Sequence, residues 1–365
     1  MKLKELCTYL ESVAPLAYQE SYDNSGLLVG NPDTTICGAV ISLDCTEEVI
    51  DEAIKKGCNL VISHHPLVFK GLKRFTGSGY VDRTLIKAIK NDVAIYAIHT
   101  NLDNVADGVN KVLAEKIGLH NLRILAPKSG ILKKLVTFCP TAHAEALRAA
   151  LFAAGAGEIG HYAQCSFNVA GEGTFTAQEG ANPFVGNIGI PQKEAEVRIE
   201  VIYPEHIEKT VLSALKAAHP YEEVAYFLQT ISNAHQEIGS GMIGELPEAQ
   251  EELSVLKYIQ VQLGVPVIRH TQLLGKKIKK VAICGGSGSF LLPNALAAGA
   301  DLFVTADYKY HEFFDADKQL IIADVGHFES EQFTQMLLFE TITKNFPNFA
   351  LHLTEQVTNP IKYLI

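Results

Sequence analysis

Short apolar runs alternate with amphipathic stretches at both ends of this chain and not in its middle, and that pattern most constrains its fold. At the front, residues 37–43 (CGAVISL), 58–63 (CNLVIS) and 93–98 (VAIYAI) are runs of strand length rich in β-branched residues. Residues 46–56, 82–91 and 107–117 between and after them carry helical periodicity. Thr46 stands at an N-cap position, and Gly57 and Gly118 follow helix ends. A β-α-β-α-β-α rhythm implies parallel strands with crossover helices, because a parallel pair cannot be closed by a hairpin. The rhythm resumes from residue 240, with strands expected at 280–284, 302–305, 319–323 and 349–354 and a long helix at 328–345.

The middle reads differently. Residues 131–155 and 197–220 each run strand, proline, turn and helix, with Pro140 and His143 matched by Pro204 and His206. That is an internal repeat of two β-α units, as in a ferredoxin-like α+β module. The Gly-rich stretch between them (GEGTFTAQEGANPFVGNIG) suits a β-hairpin, and HQEIGSGMIGEL at 235–246 suits a re-entry linker. The expected plan is an α/β core with parallel-rich sheets in two pieces, residues 1–128 and 237–365, interrupted by an inserted module at 129–236.

Bulk properties narrow the partners. A chain of 365 residues with 47% hydrophobic and 20% charged residues exceeds a single core and excludes disorder. A formal charge of −10 disfavours a general nucleic-acid or membrane-surface binder. The opening helix, MKLKELCTYLESVAP, lacks the apolar core of a signal peptide, and no segment is long enough to span a bilayer. Seven cysteines without a C-x-x-C spacing give neither a disulfide framework nor a thiolate zinc site. Cys58 and Cys284 read as small buried thiols, and the chain as a reduced, cytoplasmic protein.

Ligands of open parallel sheets bind beyond the carboxyl ends of the strands, and ionisable residues collect there. The strand exits carry Asp44, His64-His65, His99 to Asp103, Gly285-Gly286-Ser287, Asp307, and Asp324 to His327. His327 and Glu331 are one helical turn apart and share a face. Neighbouring residues of a strand face opposite sides, so His64 and His65 suit two ions side by side better than one. With Glu331 bridging and Asp103 completing the set, three imidazoles and two carboxylates would form a two-metal site that activates water. Such donors suit two divalent transition-metal ions per chain, zinc first and then iron, manganese or nickel, and are poor for calcium or magnesium. Each element alone has a plainer reading, as a polar loop or as a glutamate drawn to a helix N-terminus. Their joint placement favours metal.

Other residues take lesser parts. His99 is expected to orient Asp103 or a substrate and to move protons. Lys70 and Lys73, with Arg74 behind the histidine pair, offer a phosphate contact; the alternative is a solvated loop. GGSGS lacks the third glycine of a dinucleotide fingerprint and is expected to be a tight turn packed near the site. His143, His206 and His219 read as structural or surface residues.

The set YDNSGLLVG from Tyr22, SHHPLVFKG, HTNLD, GGSGS and DVGHFESE, in that order, resembles the NIF-three-like family, whose members are commonly named GTP cyclohydrolase 1 type 2 homologues. The likeness covers both outer pieces. The middle, with HPYEEVAY at 219–226, is similar to the PII/CutA-like module of the longer bacterial members. Tyr22 stands where the family usually has Trp, and Ser25 where Val is common. The resemblance implies a dinuclear metal centre on His64, His65, Asp103, His327 and Glu331, and a toroidal homohexamer of paired trimers. The family name implies attack of metal-activated water on the imidazole ring of GTP; the same centre could hydrolyse phosphate esters. Two functions follow: a metal-dependent hydrolase of a nucleotide or related small phosphorylated molecule, or a metal-binding regulatory or adaptor protein whose PII-like insert senses a ligand or binds a partner.

Overall fold

In the computed structural model, which describes residues 1–364, the apolar runs of the outer segments form two sheets. The first contains β1 (Gly26–Val29), β2 (Gly38–Ser42), β3 (Leu60–Ser63), β4 (Ala94–Ala97) and β15 (Ala350–Leu353), in the order β1-β4-β3-β2-β15. β4, β3, β2 and β15 are parallel, and β1 closes one edge antiparallel. Every residue of β2, β3 and β4 is buried, as in strands covered on both faces. The helix Glu47–Lys55 starts where the Thr46 side chain accepts the Val49 N–H, and Gly57 leaves it at φ 70°. β15 comes from the far end of the chain, yet Ala350 pairs with Gly38, so both outer segments build this sheet.

The second sheet contains β5 (His120–Ser129), β10 (Ala234–Glu251), β11 (Arg269–His270), β12 (Lys277–Ser287), β13 (Leu302–Ala306) and β14 (Ile321–Asp324). Its order is β11-β14-β13-β12-β10-β5. β12, β13 and β14 are parallel, while β10 pairs antiparallel with β12 and β11 antiparallel with β14. Residues 235–246, expected as a linker, lie within β10. The glycines that suggested a turn serve close packing instead: a methyl group on Gly244 would meet His120 O at 2.9 Å. The long helix expected at 328–345 is two helices, His327–Glu331 and Thr334–Asn345.

The chain divides into two units, Met1–Ala126 with Glu237–Ile365, and Pro127–Gln236. The second unit holds β6 (Leu132–Pro140), β7 (Phe167–Thr176), β8 (Pro191–Pro204) and β9 (Tyr226–Ile231), an antiparallel sheet of order β7-β8-β6-β9. With the helices Ala144–Ala153 and Glu208–Ala218 its succession is β-α-β-β-α-β. The repeat is visible: Pro140 and Pro204 are both extended, at ψ 138° and 136°, and each leads through one 3-10 turn into a helix. Leu135, Cys139, Ile199, Val201 and Tyr203 of the sheet pack on Leu147, Leu151, Val211 and Leu215 of the helices. No described helix is long and apolar enough to cross a membrane.

Candidate metal centre

The site gathers in the first unit, where the parallel strands of both sheets end. β3 stops at Ser63, and the next two residues are His64 and His65, whose ring centroids are 5.0 Å apart. The pair therefore lies beyond the strand, where the alternation of strand side chains does not hold, and both rings join one cluster with His99. After β4, His99 leads into a short helix, Thr100–Asp103, that ends on Asp103. After β14, Gly326 at φ 93° turns the chain into the helix His327–Glu331, and one turn sets His327 Nε2 3.1 Å from Glu331 Oε2.

The five predicted ligands come together around Glu331. His65 Nε2 stands 3.0 Å from Glu331 Oε2 and 3.2 Å from His327 Nε2. On the other carboxylate oxygen, His64 Nε2 lies 3.9 Å from Glu331 Oε1 and 3.6 Å from Asp103 Oδ1. Two donor groups, His65/His327/Glu331 and His64/Asp103/Glu331, thus share one carboxylate, and each could hold a metal ion. The bulge of β12 makes room for it: Gly286 is at φ 64°, and a methyl group there would overlap Glu331 Oε1. The glycine turn expected after residue 284 is this bulge inside the strand, which runs to Ser287.

Each of these three histidines is held at its other nitrogen. Nδ1 of His64 meets Ile98 O at 2.8 Å, that of His65 meets Asp44 Oδ1 at 2.7 Å, and that of His327 meets Asp307 Oδ2 at 2.7 Å. An acceptor on Nδ1 fixes the tautomer that donates there and leaves the Nε2 lone pair for a metal. Two atoms make the case sharply: buried His64 Nε2 and Asp103 Oδ1 have no hydrogen-bond partner among the described residues. Buried polar atoms without a partner are costly, and a cation between them would satisfy both. The residues present therefore fit a divalent transition metal.

The charges agree. Burial and the negative charge of Glu331 push the Asp103 carboxyl up to about 7. Burial also favours a neutral His65, but the Asp44 and Glu331 carboxylates outweigh it and push the ring up to about 9. Burial is likewise outweighed at His327, which Asp307 and Glu331 push up to about 11. Glu331, though buried, is held well below the usual carboxylate range by His327, His64 and His65. The cluster draws positive charge inward, as protons or as metal.

The lesser residues fare unevenly. Among the described residues the His99 ring makes no hydrogen bond to the Asp103 carboxylate, although the Asp103 N–H donates to His99 O at 3.1 Å; the ring's Nδ1 pairs with Asp23 Oδ1 at 2.8 Å, and Asp23 also accepts the Thr100 N–H. Lys70 and Lys73 are exposed, outside the residues lining the cavity over the cluster, although Phe69 lines it. That cavity is about 830 Å³, with Tyr22, Phe69, Tyr80, Phe290 and Phe328 among its walls. Sequence reasoning noted Asp44 and Asp307 at strand exits but gave them no task, and it missed Asp23, which lies in an irregular loop. It also missed the C-terminal tail. There Thr358 donates its hydroxyl to Asp44 Oδ2 at 2.6 Å, and Asn359 donates to Glu329 Oε1 at 3.0 Å. Thr358 thus completes a chain from the tail through Asp44 to His65.

Comparison with known proteins adds a lineage. A family model described as Duf34/NIF3 (NGG1p interacting factor 3) matches residues 1–360. A Halalkalibacterium halodurans protein named GTP cyclohydrolase 1 type 2 homolog is 40% identical over 87% of this chain and 86% of its own length. A Bacillus subtilis protein of the same name is 36% identical over 99% of this chain and 98% of its own. The crystal structure of a Bacillus cereus protein related to NIF3 superposes with a TM-score of 0.87 at 38% identity, covering 100% of this chain and 99% of that one.

Proposed function

The chain belongs to the Duf34/NIF3 family, and from that premise we propose that it is a dinuclear metal-binding protein and a metal-dependent hydrolase of a nucleotide or related small phosphorylated molecule. The observation that carries the reading is the sharing of Glu331 by two donor groups, one on each carboxylate oxygen. Two divalent transition-metal ions, zinc first among them, would supply Lewis acidity and make a coordinated water acidic near neutral pH. Five side chains would hold them: His65, His327 and Glu331 on one side, His64, Asp103 and Glu331 on the other.

The remaining roles belong to the walls. His99, steadied at Nδ1 by Asp23, keeps Nε2 for taking and returning a proton. Tyr22, Phe69, Phe290 and Phe328 offer ring faces to a planar base. Lys70, next to Phe69 in the chain, and Lys73, three residues further on, supply positive charge for a phosphate that extends out of the cavity. The name shared by the relatives makes GTP the first compound to try.

The same reading includes a PII/CutA-like second unit, a homohexamer of paired trimers and a cytoplasmic location; seven free thiols suit a reducing compartment. The test is a turnover screen of the metal-loaded protein against GTP, other nucleotides and simple phosphate esters. Turnover of one of them, abolished by His65→Ala while light scattering still reports the wild-type assembly, is expected. Unchanged turnover in that variant would remove the cluster from the chemistry.

A further inference from the structure

The second unit contains a cavity of about 690 Å³ that the metal reading does not use. It lies on the face of the four-stranded sheet turned away from the helices. Alternation along β6 and β8 sends Leu135, Cys139, Ile199 and Val201 into the helix-covered core and leaves Phe138, Glu196 and Arg198 on the other side. The register places Glu196 across from Gly171, and Arg198 across from Val169 and Phe138. Gly171 and Gly173 leave the floor bare. Glu196 lies over Gly173 so closely that a methyl group there would overlap its carboxylate.

Glu196 is only 9% exposed. Its Oε1 accepts the Tyr221 hydroxyl at 2.9 Å, and no described residue donates to Oε2. Of the other charged residues lining the cavity, Arg198 pairs with Glu200 at 2.8 Å, Glu172 pairs with Lys193 at 2.9 Å, Glu222 accepts the Asn182 N–H at 2.7 Å, and Glu223 is exposed to solvent. A buried carboxylate with no counter-ion among the described residues therefore faces the space. Around it stand Phe138, Phe175, Phe184 and Tyr221, with Tyr221 6.0 Å from Phe175 and 6.2 Å from Phe184 between ring centroids. This wall is held in place: His219 Nδ1 accepts the Tyr221 N–H at 3.1 Å, and its Nε2 donates to Phe138 O at 2.8 Å.

A carboxylate beneath aromatic rings is the chemistry that recognises an organic cation, since ring faces attract positive charge and a buried anion lacks a partner. Among the described residues no three His, Cys, Asp or Glu donors converge there, which makes a bare metal cation a poor fit. We propose that this cavity binds a small organic cation, an ammonium group on an apolar or aromatic body, with Glu196 as its counter-charge and Tyr221, Phe175 and Phe184 as its walls. The site is independent of the metal reading and gives the regulatory alternative a ligand class.

Calorimetric titration of the full-length protein with benzylammonium, benzyl alcohol and benzoate at pH 7 compares one ring under three charges. Benzylammonium should bind at least ~10-fold more tightly than the alcohol, and benzoate should not bind. Glu196→Gln keeps an acceptor for Tyr221 and the side-chain volume, and should bring benzylammonium to the level of the alcohol. Phe184→Ala, on an exposed loop, should weaken it about fivefold and serves if the Glu196→Gln protein folds poorly. His65→Ala should bind it as the wild type does, which separates this site from amine binding at the metal cluster. Equal affinity for benzylammonium and the alcohol would overturn the proposal, as would wild-type affinity in the cavity variants.

Discussion

Gly286→Ala separates a strained backbone from a displaced ligand. At φ 64° an alanine costs roughly 1–2 kcal/mol relative to glycine, wherever in the chain it is placed. At this position the added methyl group would also overlap Glu331 Oε1 and stand 3.1 Å from its Cδ and 3.3 Å from His327 Cε1. The helix His327–Glu331 is packed under β12, so the carboxylate must give way by something on the order of 1 Å. Both donor groups use that carboxylate, and a shift of this size should lower metal affinity by about 10–100-fold. Gly57→Ala is the control: φ is 70° there, and a methyl group would meet nothing within 4 Å. Chelator competition measures affinity, and urea unfolding of the metal-free proteins measures stability. Gly57→Ala should lose only the backbone cost, Gly286→Ala at least as much, and only Gly286→Ala should lose metal. Wild-type affinity in Gly286→Ala would refute the placement of Glu331 between the ions.

Further outcomes follow from other parts of the molecule. Thr358→Val removes the hydroxyl that holds Asp44, and should weaken metal binding up to about tenfold; unchanged chelator competition would make the tail incidental. Leu135→Ala opens a cavity in the core of the second unit and should cost about 2–5 kcal/mol in urea unfolding while metal content stays at the wild-type level. Loading the metal should raise the melting temperature, by mass action worth about 3–4 kcal/mol when free metal is 100 to 1,000 times the Kd. Asp82, despite its burial, is held below the usual carboxylate range by the N–H groups of Gly79, Thr76 and Ser78. Its contribution to the start of the helix Tyr80–Lys90 should be complete above the unfolded value and fade as pH falls through the folded one. Asp82→Asn should flatten that acid limb in amide exchange of residues 76–82.

The parts of the fold that follow from local pattern were legible. Buried strands at 38–42, 60–63 and 94–97, the Thr46 cap and the repeated strand–proline–helix units all carry their signal within a few residues. Long-range pairing was not. Nothing in the sequence near Ala350 says that it joins Gly38, and the glycines of 239–244 signal a turn and close strand packing equally well. At the site, the five clustered residues were visible because each follows a strand or shares a helix face. Their supports were not. Asp23 reaches His99 from 76 positions away, and Thr358 reaches Asp44 from 314, distances over which no periodicity carries information. The two-ion idea began from the alternation of strand side chains, which does not apply past Ser63, and now rests on the two oxygens of Glu331.

The most direct test is the number of metal ions per chain after chelator stripping and reloading with zinc, read by elemental analysis against protein concentration. The shared carboxylate predicts two for the wild type and one for His327→Ala, which leaves His64, Asp103 and Glu331 in place. A wild-type value of one, or of none, would contradict it.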